Sequence, residues 1–192
     1  MPKLTLKKAY PYILIIGGLI GLVMAFIIMQ EKMSLLKNPD YVPSCNLNPV
    51  LSCGSVMRSV QAEAFGFPNP ILGLVGFPIV VTVGMALLAG AQFKKWFWRT
   101  FHAGTLLGLL FAHWLFFQSV YRIGALCMYC IGVWIVTIAI FLYTTLYTLR
   151  EGYWKFPKVA KFLQTNHLGV LIAWYGIITA LILNHFWYYF GS

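Results

Sequence analysis

The chain has 192 residues, of which 60% are Ala, Val, Ile, Leu, Met, Phe, Trp, Tyr or Cys, 17% are aromatic and only 9% are charged, with a formal net charge of +10. A soluble globule carries about 25% charged residues, so this chain cannot cover its surface with polar groups and its solvent must be largely lipid. Disorder, a nucleic-acid partner and a soluble enzyme are excluded, and the chain reads as an all-α integral membrane protein.

A helix needs about 20 apolar residues to cross roughly 30 Å of hydrocarbon. Five stretches qualify, near 10–30, 70–91, 100–120, 125–149 and 167–190. The first is followed by Gln30-Glu31-Lys32-Met33 with no small-x-small site, so it reads as a retained helix and not as a cleaved signal. It contains Gly17-x-x-x-Gly21, a pattern that permits close helix approach. The segment 31–69 begins turn-rich, then becomes amphipathic from Gly54 to Phe65. There Val56, Met57, Val60, Ala64 and Phe65 oppose Arg58, Ser59, Gln61 and Glu63, so a short helix is expected in the interface or as a lid. In the third span, Phe111, Trp114, Phe116 and Phe117 suit either a ligand cleft or core packing. His113, near mid-span, suits either a proton relay or an interhelical hydrogen bond. His102, His167 and His185 read as interfacial, and Trp96, Trp98, Trp187, Tyr188 and Tyr189 as aromatic belts. With no internal repeat and no room for a second folded unit, residues 1–192 read as a single membrane domain.

With five spans, one side carries Lys3, Lys7, Lys8, Lys94, Lys95, Arg99, Arg150, Lys155, Lys158 and Lys161, and the other Lys32, Lys37, Arg58 and Arg122. Adding the acids makes the split +9 against +1. By the positive-inside rule the N-terminus lies in the cytoplasm of a cell-membrane protein, and the C-terminus and the 31–69 segment lie outside.

All four cysteines then share the outer side. Cys45 and Cys53 lie in the loop, and Cys127-Met128-Tyr129-Cys130 opens the fourth span. That compartment permits disulfides, and 45/53 with 127/130 is the most economical of three connectivities. Residues i and i+3 of a helix share a face, and a helix N-terminus favours the thiolate, the reactive species in disulfide exchange. A loop pair within reach of a soluble thiol protein and an inner pair at the bundle mouth suggest an electron relay. Static disulfides or inert thiols remain open, as does a zinc site of four thiolates.

Cys45-x7-Cys53, then Ser55-Val56-Met57-Arg58-Ser59 and Phe65-Gly66-Phe67-Pro68-Asn69-Pro70-Ile71-Leu72-Gly73, then CxxC opening a later span, together resemble the vitamin K epoxide reductase family over roughly 10–149. The likeness is to a bacterial, stand-alone member. It implies a four-helix transmembrane bundle around a quinone, with a fifth helix (about 167–190) peripheral and a short interfacial helix in the first outer loop. It further implies that Cys45 and Cys53 take electrons from a thioredoxin-like, DsbA-type carrier, and that Cys127 and Cys130 pass them to ubiquinone or menaquinone. Cys130 would lie nearest the ring and no metal would take part. By the same resemblance Asn69 hydrogen-bonds a quinone oxygen and Ser59 belongs to the same motif. Trp134 stands where animal members carry a tyrosine, which weakens an epoxide-reducing alternative. Relatives often fuse a thioredoxin-like domain after the fifth span. Here the sequence ends at Phe190-Gly191-Ser192, so the carrier is expected to be a separate protein. The expected activity is therefore a membrane thiol:quinone oxidoreductase supporting disulfide formation. Its rivals are quinone-epoxide reduction on the same scaffold and a non-enzymatic scaffold with structural disulfides.

Overall fold

The computed structural model describes residues 3–154 and 156–190. Lys155, counted above among the basic residues, and Gly191-Ser192 lie outside them. Five helices are long and apolar enough to cross a membrane. They are α1 (Lys3–Lys37), α3 (Pro70–Leu88), α4 (Lys95–Phe117), α5 (Met128–Arg150) and α6 (Pro157–His185), with two short helices, α2 (Cys53–Arg58) and α7 (Trp187–Phe190). The protein is an all-α, multi-pass membrane protein.

α1 is the axis of the bundle: it packs along α3 on one side and α5 on the other, and α5 in turn carries α4 and α6. Small residues set these approaches. A Cβ on Gly18 would fall 2.7 Å from Val81 of α3, one on Gly21 would enter the ring of Phe77, and one on Gly17 would meet Ile140 of α5 at 3.2 Å. The two glycines of the Gly17-x-x-x-Gly21 pattern therefore serve different neighbours within the bundle. Leu6, Tyr10, Leu14, Phe77, Val80, Trp98, Val136 and Leu146 fill the centre, where the Tyr10 hydroxyl donates to Thr144 Oγ1 at 3.0 Å. An ion pair of 3.5 Å between Lys7 and Glu151 brings the start of α1 and the end of α5 to one side.

Several expectations need correction. α1 runs to Lys37, beyond the expected end at 30, because Glu31 and Lys32 are covered by the loop that follows and not by lipid. The expected amphipathic helix of 54–65 is broken at Ser59 (φ −70°, ψ 151°) into α2 and a 3-10 turn, Val60–Glu63. The break turns Met57 inward and leaves Val60 88% exposed, so the stripe is not continuous. α6 starts at Pro157, ten residues early, and has non-helical geometry at Asn166, next to the expected boundary. Trp98 is core and not belt, with 1% exposure. Three of the four histidines join helices: His102 pairs with Thr145 (2.9 Å), buried His167 with the Tyr143 hydroxyl (3.2 Å), and His113 with α6. The Trp174 indole N–H donates to His113 Nε2 (3.0 Å), so the ring proton lies on Nδ1 and is donated to the Leu109 carbonyl (2.9 Å). Both nitrogens are committed to packing.

Candidate active site

The outer loop is built from its own polar side chains. Asn48 Oδ1 accepts from the Val50 and Leu51 amides (3.0 and 2.7 Å), and Asn46 Oδ1 accepts from the Gly54 amide (2.8 Å). Ser52 caps α2 by accepting from the Ser55 amide, so Cys53 is the first residue of that helix. On the other side, α4 runs into a π-helical turn, Gln118–Ile123, which ends at Gly124 with φ of 69°. That left-handed turn favours glycine and delivers an extended stretch at 125–127. Leu51 and Leu126 then form a parallel β-bridge, in which the Ser52 amide donates to Leu126 O (3.0 Å) and the Leu126 amide to Val50 O (2.7 Å). One bridge thus fixes Cys53 beside Cys127.

Cys45 and Cys53 are joined in a disulfide, whereas Cys127 and Cys130 are thiols. The sulfurs of Cys45, Cys53 and Cys127 all lie within 4.8 Å of one another. With the bridge closed, two of these three sulfurs are bonded to each other and do not offer thiolates to a metal. Cys127 is the N-cap of α5, its sulfur accepting from the Cys130 amide at 3.4 Å. Hydrogen bonding with the Cys130 side chain draws the Cys127 thiol below its ordinary value, overcoming the opposite effect of burial. The loop pair departs from expectation in one respect: Cys45 is 2% exposed and Cys53 0%, not openly accessible. Ile28, Leu35 and Met57 close over them, because the broken α2 segment turns its apolar side down onto the end of α1.

Below the sulfurs lies a cavity of about 620 Å³, lined almost wholly by apolar side chains of α1, α3, α4 and α5. Such a volume suits a drug-sized apolar ligand. Cys130, Ser59, Asn69 and Trp134 all line it, so every expected site residue except the three clustered cysteines faces one chamber. Asn69 is nearly buried. Its Nδ2 donates to Gln61 O (2.7 Å) and its Oδ1 accepts from the Ala64 amide (3.0 Å), leaving one N–H free. Ser59 Oγ donates to Val56 O at 2.7 Å, so toward a ligand it can only accept. Trp134 stacks edge-on against Phe116 (5.2 Å). Phe111 lines the cavity, whereas Phe116 is buried in the core and Trp114 and Phe117 are exposed on the outer face of α4. The profile of the vitamin K epoxide reductase family matches residues 12–145, more than half of the chain. The chain belongs to the vitamin K epoxide reductase family. It is accordingly a membrane oxidoreductase of a family that couples thiol–disulfide chemistry to quinones. No individually curated protein matches it.

Sequence reasoning passed over Glu31, Lys32, Ser44 and Tyr129. Glu31 and Lys32 are both 8% exposed. Lys32 Nζ donates to Met57 O (2.7 Å), pairs with Glu63 (2.9 Å) and borders the cavity. Glu31 accepts from Ser44 Oγ at 2.6 Å. An acid–base pair at the end of an apolar span, upstream of Cys45, was the available signal: charges there are expensive unless partnered.

Proposed function

We propose that the protein is a membrane thiol:quinone oxidoreductase that reoxidises an extracytoplasmic, DsbA-type thiol carrier and reduces a lipid quinone, ubiquinone or menaquinone, as its substrate. The observation that carries this is the approach of the Cys45, Cys53 and Cys127 sulfurs to within 4.8 Å above an apolar chamber lined by Cys130. In this scheme residues 1–192 act as one membrane domain with the N-terminus in the cytoplasm and the sulfurs outside, as the basic-residue count favours.

A carrier thiolate attacks the Cys45–Cys53 disulfide, and the carrier's second thiol resolves that bond, leaving the carrier oxidised and the loop pair as two thiols. Because both loop sulfurs are buried in the closed state, the segment before Cys53 must lift for this step. A loop thiolate then attacks the Cys127–Cys130 disulfide at Cys127, and Cys130 leaves with the electron pair. The second loop thiolate closes Cys45–Cys53 and releases Cys127. Cys130 adds to the quinone ring, Cys127 attacks the Cys130 sulfur, and the quinone departs with two electrons and takes up two protons. Direction follows potential: for two electrons about 30 mV is worth roughly 1.4 kcal/mol. Asn69 suits the role of donor to a quinone oxygen through its free N–H. Trp134 lines the wall without a phenolic hydroxyl, which favours quinone over epoxide.

Purified Cys130→Ser protein should lose thiol-dependent quinone reduction, measured by quinone absorbance with dithiothreitol as donor, while still carrying the Cys45–Cys53 bridge before the donor is added. Full turnover by that variant would overturn the scheme.

A further inference from the structure

Glu31 is a buried carboxylate that the scheme above leaves without a task. It sits on the last turns of α1, beside the sulfur cluster. Oε1 accepts from both the hydroxyl (2.6 Å) and the amide (3.4 Å) of Ser44, the residue preceding Cys45. The Ser44 hydroxyl, its proton directed to Glu31, accepts in turn from the Tyr129 hydroxyl at 3.2 Å. Tyr129 lies between Cys127 and Cys130. The carboxylate therefore sits at one end of a hydrogen-bonded chain that touches the flank of each cysteine pair. Its second oxygen, Oε2, is buried and makes no hydrogen bond of good geometry, although the Tyr41 hydroxyl lies close enough to the carboxylate for Glu31 to hold its proton in place. A buried carboxylate oxygen left unpaired is costly, so its retention calls for a reason. The adjacent cation does not supply one, because Lys32 is engaged by Glu63 and by the Met57 carbonyl.

The exchange between the two pairs has a proton requirement that the sulfurs cannot meet alone. Each loop thiol must lose its proton to attack, and the two protons so released must be delivered to the CxxC side, where the quinone takes up two on reduction. With Cys45, Cys53 and Cys127 all nearly inaccessible, bulk water does not reach those three sulfurs directly, whereas Ser44 beside them is exposed. We propose that Glu31 is the proton-relay group of the inter-pair exchange, using Oε2 to take the proton from an attacking loop thiol and the Ser44–Tyr129 chain to return it on the CxxC side. This rests on the thiol:quinone scheme above. In each half-step one S–S bond forms and one breaks, the leaving sulfur takes the electron pair, and the proton waits on Glu31. The carboxylate is electrically within reach: its charge is one of the influences that oppose ionisation of Cys127, and the same carboxylate holds the proton on Tyr41. The other titratable or charged groups linked to it are Lys32, next in its own helix and paired with Glu63, and Tyr129 on α5 through Ser44, while Arg58 is turned to the Pro39 and Tyr41 carbonyls.

The test separates the two reactions within one experiment. Fully reduced protein carries four thiols and, mixed with excess single-isoprene ubiquinone in a stopped-flow cell, reduces two quinones in succession. The first comes from Cys127 and Cys130 directly and the second only after inter-pair exchange. In Glu31→Gln the first phase should keep its rate and the second should slow on the order of 10²-fold, the size of a general acid–base contribution. Glu31→Asp should restore part of the rate of the second phase. Equal rates for both phases in Glu31→Gln and the unmodified protein would overturn the relay. Slowing of both phases alike would also overturn it, by reducing Glu31 to a support of the fold. Should Glu31→Gln not accumulate, Ser44→Ala and Tyr129→Phe serve in its place, with a slowed second phase supporting the relay and an unchanged one overturning it. Absence of any quinone reduction by the unmodified protein would instead defeat the thiol:quinone scheme itself.

Discussion

Cys127 shows how a single residue acquires reactivity from its place in the chain. As N-cap of α5 it sits where unpaired amides stabilise negative charge, and the Cys130 side chain adds a hydrogen bond that outweighs burial. Because the thiolate is the attacking species, a lowered ionisation keeps exchange competent as pH falls below the ordinary thiol value of about 8.5. Reactivity is lost only beneath the shifted value. Replacing Cys130 with alanine removes the principal lowering influence and leaves burial in place. Followed by ultraviolet thiolate absorbance in protein with the Cys45–Cys53 bridge intact, Cys127 in Cys130→Ala should ionise at higher pH than the first ionisation in the unmodified protein. An unmoved midpoint would assign the effect to the helix amides alone. At this scale much was legible: four cysteines on one side, a CxxC opening a helix and the Asn69 turn are local patterns. Glu31 and Ser44 were not. Their pairing spans 13 residues and depends on the loop folding back over α1, which no local spacing records.

Among the elements, the spans were legible because length and apolarity alone define them, whereas the cap was not. The 54–65 stripe has helical period, yet Ser59 donates its hydroxyl to Val56 O and takes an extended conformation. Serine competes with the helix in this way by bonding nearby backbone. The small residues of α1 were visible, but their partners were not, since a glycine does not name the surface that approaches it. Gly18→Leu tests the assignment of that face to α3. Added atoms would strike Val81 and the Phe77 carbonyl, and overpacking of this kind costs about 1–3 kcal/mol. The thermal unfolding midpoint in detergent should fall accordingly. Gly169→Leu on α6, where a Cβ would meet nothing within 4 Å, should leave it nearly unchanged. Equal loss from both would mean that the response does not depend on the α1–α3 contact.

On the scale of the molecule, the bundle is asymmetric. α3 and α4 stand on opposite flanks of the α1–α5 pair without an extended interface between them, and α6 rests on the far side through His113–Trp174, Tyr143–His167 and the Tyr175 hydroxyl on Ile135 O. The chamber fills the gap between α3 and α4, and exposed Leu72, Ile79 and Trp96 are among its walls. It therefore opens sideways, toward lipid, while the sulfurs above it stay covered. A substrate with a long apolar tail can enter from the bilayer and leave the tail in the gap, where Gly76, Gly104 and Gly108 have no side chain and a Cβ would meet nothing within 4 Å. Filling that gap should separate tail binding from chemistry at the ring. In Gly104→Leu combined with Gly108→Leu, KM for a long-chain quinone should rise about tenfold, equivalent to roughly 1.4 kcal/mol. KM for single-isoprene ubiquinone should change little, and the inter-pair exchange rate not at all. An equal rise for both quinones would place the obstruction at the ring and remove the gap from the substrate path.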